Sequence, residues 1–321
     1  MSKSQTIKVT IKNAHERLDV FLSKKLDIPR AQVTKMIKAD QVFVNKQLPK
    51  KTGELTHAGD AIKIIPLKPI AKGKTSIRKI FIKTPEPVVL TETSDYLIVD
   101  KPWGLLTHNV MGKDETSLAE ILAKKYPEIK TVGDKPEQRP GIVHRLDKEA
   151  SGLIVVARTQ KMFNHLKKQF KAHTINKEYL ALAHGRIDRD CDEINFPITR
   201  SKNTERMSAI PSIIKGLPTT DGKLAATEFE VVKRFVNFTL LKVKIHTGRT
   251  HQIRVHLFAY NHPLVGDPLY FSKKQKRKYD DLLGRLFLHS AELSFIDLQK
   301  QEQTFKIDLP DRLKKFLNEI V

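Results

Sequence analysis

Residues 139–152 read Arg139-Pro140-Gly141-Ile142-Val143-His144-Arg145-Leu146-Asp147-Lys148-Glu149-Ala150-Ser151-Gly152, a charged, loop-like stretch leading straight into the apolar Leu153-Ile154-Val155-Val156-Ala157. Five apolar residues in a row between Gly152 and Arg158 read as a buried strand. Asp147 stands at the entrance to that strand, two residues after Arg145. A carboxylate near basic groups stays ionised and can act as a nucleophile or base. Taken alone, an R-x-D triplet more often marks a salt-bridged structural turn, so its meaning depends on the rest of the chain.

Outward from this stretch, short apolar runs predict strands at Tyr96 to Val99, Tyr179 to Ala183, Phe238 to Ile245 and Leu286 to Leu288. Two helices are predicted between them. One runs from Ser117 to Tyr126, with a Ser117-x-x-Glu120 capping box and Pro127 as its stop; the other runs from Lys161 to Ala172. Leu313, Phe316, Leu317 and Ile320 predict a closing helix. Strands outnumber helices without the regular alternation of a parallel sheet, so residues 87–321 are expected to form an α+β domain with a mainly antiparallel mixed sheet.

Two further segments carry polar groups next to strands. In Lys177-Glu178-Tyr179-Leu180-Ala181, alternation puts Tyr179 and Ala181 on one face. A tyrosine there suits either a core or a platform for an unstacked base. In His246-Thr247-Gly248-Arg249-Thr250-His251-Gln252-Ile253-Arg254-Val255-His256-Leu257, a strand ends, the chain turns at Thr247-Gly248, and a helix is expected from about Thr250. Arg249 and the helix N-terminus are candidates to hold phosphate. A buried Arg254 would need an anionic partner.

The first 85 residues have a different texture. They hold 19 lysines or arginines against 6 acids, +13 of the chain's formal +22. Self-repulsion of this size is best tolerated by a protein whose partner is a polyanion. Asn13-x-x-Glu16 offers a helix-capping pair before Leu18, Phe21, Leu22 and Leu26, and Pro29 opens a second helix with Val33, Met36 and Ile37 inward. Arg30, Lys35 and Lys38 lie elsewhere on that helix, as candidate RNA contacts. Val42 and Val44, then Ile62 to Ile65, read as short strands. Carried by RLDVFLSKKL, RAQVTKMIKADQVFVNKQ and HAGDAIKI, residues 15–65 resemble the S4 RNA-binding domain, a small α/β unit. Residues 1–14 are expected to form a tail or strand, and residues 66–86, with three prolines and six basic residues, an extended basic linker. Lys273 to Lys278, five basic residues in six, offers further phosphate contacts.

Several chemistries lose support. Cys191 is the only cysteine, which excludes an intrachain disulfide and a cysteine-based zinc site. No G-x-G-x-x-G or H-E-x-x-H occurs, and Gly216 to Lys223 has one residue too many for a P-loop, with Leu224 where Ser or Thr is needed. His246, His251 and His256 recur every five residues, which spreads them around a helix. No run approaches the ~18 apolar residues of a membrane span, so the expected location is the cytoplasm.

The motifs H-R-L-D with S-G-L, K-x-Y, and H-x-x-x-R-T-H-Q-I-R-V-H, in this order, together with DKPWGLLTH (residues 100–108) and HPLVGDPLY (residues 262–270), resemble the RluA-type pseudouridine synthase family over residues 87–300. The resemblance implies an enzyme that isomerises uridine to pseudouridine in structured RNA, most naturally ribosomal RNA, with transfer RNA the alternative. Asp147 would be the essential aspartate. Tyr179 would contact the target base and assist proton transfers. Arg254 would pair with Asp147, with Arg249 the weaker candidate for that role, and Arg145 would fill the space left by the flipped uridine. Reactant and product are isomers, so no cofactor or metal is expected, and no obligate protein partner is inferred.

Overall fold

The computed structural model describes residues 5–11, 14–38, 41–49, 51–64, 86–109, 115–201, 206–210, 213–214, 217–218, 221–271 and 278–320. Asn13 of the expected capping pair, nearly all of the basic linker, residues 273–277 of the basic cluster, and the side chains of Lys35 and Lys38 lie outside the described residues. Two compact units emerge, Met1–Phe81 and Ile82–Val321.

The first unit is a helical hairpin on a small sheet. Strand β1 (Gln5–Lys8) precedes helices α1 (Leu18–Leu26) and α2 (Arg30–Lys38), then β2 (Val42–Val44) and β3 (Ala61–Ile64). The antiparallel order is β1-β3-β2. Leu18, Phe21 and Leu22, at the i, i+3, i+4 spacing of one helix face, pack on Val33, Ile37, Val42, Ile62 and Ile64. The N-cap of α1 is Arg17, with no side-chain cap. Glu16 therefore precedes the cap position and pairs with Lys24 instead of closing a capping box.

The second unit is built on a nine-stranded mixed sheet. Its chain order begins with β4 (Val88–Glu92), β5 (Tyr96–Lys101), α3 (Leu118–Lys125), β6 (Ser151–Ala157), α4 (Gln160–Ala172), β7 (Asn176–His184) and β8 (Cys191–Ile194). Two small hairpins follow, β9 (Ile198–Arg200) with β10 (Met207–Ala209), and β11 (Ile213–Ile214) with β12 (Leu217–Pro218). Then come β13 (Thr227–Arg234), β14 (Phe238–Ile245), α5 (Gln252–Ala259), α6 (Lys278–Leu283), β15 (Leu288–Ile296), β16 (Glu302–Lys306) and α7 (Asp311–Glu319). Across the sheet the order is β4-β5-β6-β15-β7-β14-β13-β8, with β16 also on β15. Each described pairing is antiparallel except β6 with β15.

Strand β6 is buried along its whole length, as its apolar run requires. At the parallel junction, a Cβ on Gly152 would stand 2.2 Å from the Ser290 carbonyl oxygen, and φ is +113°. Only glycine permits so close an approach of β6 to β15.

Several element bounds differ from the sequence expectation. The Ser117–Glu120 capping box forms as expected, but Pro127 opens a 3-10 turn, Pro127–Thr131, beyond the end of α3. The last apolar strand starts at Leu288 and runs to Ile296. Polar side chains interrupt its pattern; of the buried ones, His289 hydrogen-bonds Ser151 through Nδ1 at 2.9 Å. Helix α5 starts at Gln252, two residues late, because His251 takes a left-handed backbone conformation at φ 56°.

Candidate active site

The loop before β6 is held from both sides, which fixes Asp147. Thr107 clasps Leu146 twice: its hydroxyl donates to the Leu146 carbonyl at 2.8 Å and accepts from the Leu146 amide at 3.2 Å. The Gly104 amide donates to the Lys148 carbonyl at 2.8 Å, and the Ala150 amide closes a turn on the Asp147 carbonyl at 3.1 Å. Thr107 and Gly104 belong to the loop after β5, whose shape is set by Lys101. That lysine is completely buried and donates to the Pro102 and Leu105 carbonyls at 2.9 and 2.8 Å. Burial pushes its pKa down to about 7, against the opposing fields of Asp147 and Glu149.

Arg254 enters from α5 with its side chain wholly enclosed. Its Nε and Nη2 donate to the two carboxylate oxygens of Asp267, each at 2.8 Å. Its Nη1 points to Asp147 at 3.3 Å and to Glu149 at 3.1 Å. Asp267 is itself oriented by the amides of Leu269 and Tyr270, at 2.8 and 3.0 Å. Burial opposes the guanidinium charge, but the hydrogen bonds and charge of Asp267, then Asp147 and Glu149, outweigh it and raise the Arg254 pKa. One buried cation thus serves three carboxylates, of which Asp147 borders the cavity.

Tyr179 lies on β7, buried to 5% exposure. Burial, then the charge of Asp147, raise its pKa; a hydrogen bond with Ser290 opposes the shift. The phenol therefore stays protonated at neutral pH and offers a ring face with a hydroxyl donor.

Together Asp147, Tyr179 and Arg254 line a cavity of about 500 Å³, with Ile245, Leu288 and Phe170 among its apolar walls. Arg145, Arg139 and Arg249 line it too, and Arg145 is exposed. Such a volume is ample for one extruded base. Arg249 does not contact Asp147: its Nε donates to the Leu224 carbonyl at 3.0 Å. The turn before α5 is organised by Gln252, whose Oε1 accepts from Thr247 and the Arg249 amide while its amide group donates to Ala226 and Thr227. His246, His251 and His256 are engaged separately, with Glu228, Tyr270, and Thr227 with Phe196. In the first unit, Arg30 donates through Nε to the buried Asp19 at 2.8 Å.

The structure brings Asp147, Tyr179, Arg254, Arg145 and Arg249, all named from the sequence, to one cavity; the sequence alone assigns Asp267, Glu149, Lys101 and Thr107 no role. The signal for Asp267 was present. A buried arginine with five donors seeks a bidentate carboxylate, and HPLVGDPLY supplies one 13 residues after Arg254.

The chain matches the family model for RNA pseudouridylate synthase over residues 95–259 and that for the S4 domain over residues 16–62. It is 34% identical to an uncharacterized RNA pseudouridine synthase of Bacillus subtilis, over 95% of this chain and 94% of that one. It is 31% identical to the ribosomal large subunit pseudouridine synthase D of Buchnera aphidicola, over 95% of each. Among solved structures, the human RNA pseudouridylate synthase domain containing 1 aligns with TM-score 0.55 and 25% identity, over 71% of this chain and 84% of that one. The matched segment holds the Asp147 loop, the Tyr179 strand and the Arg254 helix, and by these matches the chain belongs to the RNA pseudouridylate synthase family, in its RluA-type branch with an N-terminal S4 domain.

Proposed function

We propose that this synthase converts uridine to pseudouridine in folded ribosomal RNA of the large subunit, with Asp147, Tyr179 and Arg254 as its working residues. The observation that carries the reading is the 3.3 Å contact of Arg254 with Asp147 at the wall of a base-sized cavity that also holds Tyr179. Relatives that carry the name ribosomal large subunit pseudouridine synthase align with nearly the whole chain, which supports the choice of substrate.

The reaction breaks the N1–C1′ bond, turns the uracil and rejoins it through C5. The target base must first leave its stack, at a cost of a few kcal/mol. In this reading the exposed Arg145 enters the space it leaves, and the Tyr179 ring receives it. Asp147, held charged-side-out by the Arg254 guanidinium, meets the nucleotide with its carboxylate. Arg254 cannot swing away, because Asp267 holds its other edge. The neutral phenol of Tyr179 donates a hydrogen bond and is a poor base at neutral pH.

RNA attraction is assigned to the +13 of residues 1–85, with Arg30, Lys35 and Lys38 as candidate phosphate contacts and Arg145 and Arg249 at the cavity. Among the described residues no helix is long and apolar enough to cross a membrane. A ribosomal RNA substrate fits a cytoplasmic enzyme.

Mapping pseudouridine in RNA from cells with and without this protein tests the proposal. Loss of one or more modified positions in large-subunit ribosomal RNA is expected. Loss confined to transfer RNA would overturn the substrate choice.

A further inference from the structure

Strand β7 places a charged side chain, Lys177, in the cavity beside Tyr179. Its burial alternates, with Lys177, Tyr179 and Ala181 inward. Lys177 and Tyr179 therefore share one face, about 7 Å apart along the strand at the usual rise per residue. Both line the same cavity as Asp147. Lys177 is 8% exposed, and its ammonium lies 5.4 Å from the centre of the Phe170 ring. Phe170 in turn stacks on His144 at 4.8 Å. His144 is neutral: burial, then the charge of Lys177, push its pKa down to about 3, and its Nε2 accepts from the Val155 amide at 3.0 Å.

Among the described residues, no carboxylate pairs with Lys177. Its neighbour across the sheet on β15 is Leu293, and the titratable group that feels its charge is His144. Burial alone pushes its pKa down to about 8. A desolvated cation without a counter-charge is expensive for a fold. An isosteric apolar residue would pack against Phe170 and Leu293 with no such cost. Among the cations that line the cavity, Arg254 is matched by carboxylates, whereas the buried Lys177 has no such match among the described residues.

We propose that Lys177 is a further catalytic residue, whose ammonium binds the uracil ring and stabilises the negative charge that forms on it during the reaction. When the N1–C1′ bond breaks, the electron pair stays on N1 and spreads to the ring oxygens O2 and O4. If Asp147 instead adds to C6, the pair moves to the enolate at O4. Each route puts an anion on the ring, beside the strand face that carries Tyr179 and Lys177. Lys177 donates a hydrogen bond to a ring oxygen and keeps its proton. After C5 bonds to C1′, C5 loses its proton and N1 gains one, so the product is an isomer. A base lying on Tyr179 reaches toward Lys177 over the spacing of adjacent inward positions. A fixed cation aimed at developing charge in a dry site is the arrangement with the largest effect on rate. The inference rests on the isomerase reading.

The test uses the full chain, with total RNA from cells lacking this protein as substrate. Lys177→Met and Lys177→Arg are compared with wild type in single-turnover rate at saturating enzyme, RNA affinity and melting temperature. Lys177→Met is expected to melt no lower than wild type, bind RNA within about twofold, and react ~100-fold more slowly, the scale of losing one charge stabiliser. Lys177→Arg keeps a cation and recovers part of the rate. The wild-type rate falls as pH rises through about 8, where Lys177 loses its proton, and Lys177→Arg lacks that fall. Lys177→Met at the wild-type rate, or slowed only in step with a lower melting temperature, overturns the proposal. Weaker binding with a salt slope shallower by ~0.7 and an unchanged saturated rate overturns it in favour of a phosphate contact. A wild-type chain that forms no pseudouridine in that RNA overturns the isomerase reading itself.

Discussion

Asp267 grips the Arg254 guanidinium along one edge through two 2.8 Å hydrogen bonds, and so turns the remaining nitrogen toward Asp147. Both side chains are completely enclosed. Asp267→Asn keeps one acceptor oxygen but removes the charge that balances Arg254. Breaking one side of a buried pair costs about 3 kcal/mol or more. Denaturant unfolding should show that loss, and the folded fraction should react slowly while binding RNA normally. Unchanged stability with unchanged rate would remove Asp267 from the positioning of Arg254.

Asp147 and Glu149 share one nitrogen of Arg254, yet of the two only Asp147 borders the cavity. Asp147→Asn should therefore fold, bind RNA and form no measurable pseudouridine. Asp147→Glu moves the charge by one methylene, a misplacement on the scale that costs ~100-fold. Glu149→Gln should retain most of the activity. Melting temperature, affinity and pseudouridine yield from one preparation decide the matter; a normal rate in Asp147→Asn refutes the assignment.

Tyr179→Phe retains the ring that receives a base and loses the hydroxyl that bonds Ser290. RNA affinity should hold within about twofold, while the saturated rate falls ~100-fold, the lower end of proton-transfer assistance. A wild-type rate would leave Tyr179 as a packing residue.

Removing residues 1–85 takes away +13 of the net charge. Binding should weaken, with a salt slope shallower by ~0.7 for each single-strand phosphate that is no longer neutralised. The saturated rate of the remaining unit should persist. Equal affinity and equal slope would show that these residues do not bind this RNA.

Lys101 makes stability depend on pH. Its folded pKa, about 7, lies below the ordinary lysine value of 10.5. Between those values the unfolded chain binds more protons at this residue, so its contribution to stability increases as pH rises. Neutral Lys101 still has two hydrogens for the Pro102 and Leu105 carbonyls. Compared with Lys101→Met, the wild-type melting temperature should gain ground from pH 7 to pH 10. A constant difference across that range would mean that Lys101 titrates normally.

The sheet and the cavity were legible in the sequence to different degrees. Strand β6 announced itself, because burial on both faces demands an unbroken apolar run. Strand β15 did not, since the buried polar residues His289, Ser290 and Ser294 leave no apolar period. Helix α1 showed its inward face but not its start, for Arg17 caps it without a side-chain bond. Asp147 and Arg254 stand 107 residues apart. No local pattern joins them, and the family motifs supplied the pairing. Asp267 lies within HPLVGDPLY, where nothing local marks it as a second partner for an arginine that also faces Asp147.

The position of β15 in the sheet has a consequence for how the enzyme is made. Leu288–Ile296 lies between β6 and β7 and holds both, although about 100 residues or more separate it from either in sequence. A chain leaving the ribosome therefore carries Asp147, Tyr179 and Arg254 well before it has the strand that brings the first two side by side. Until that strand emerges, the halves of the catalytic sheet have no common seam.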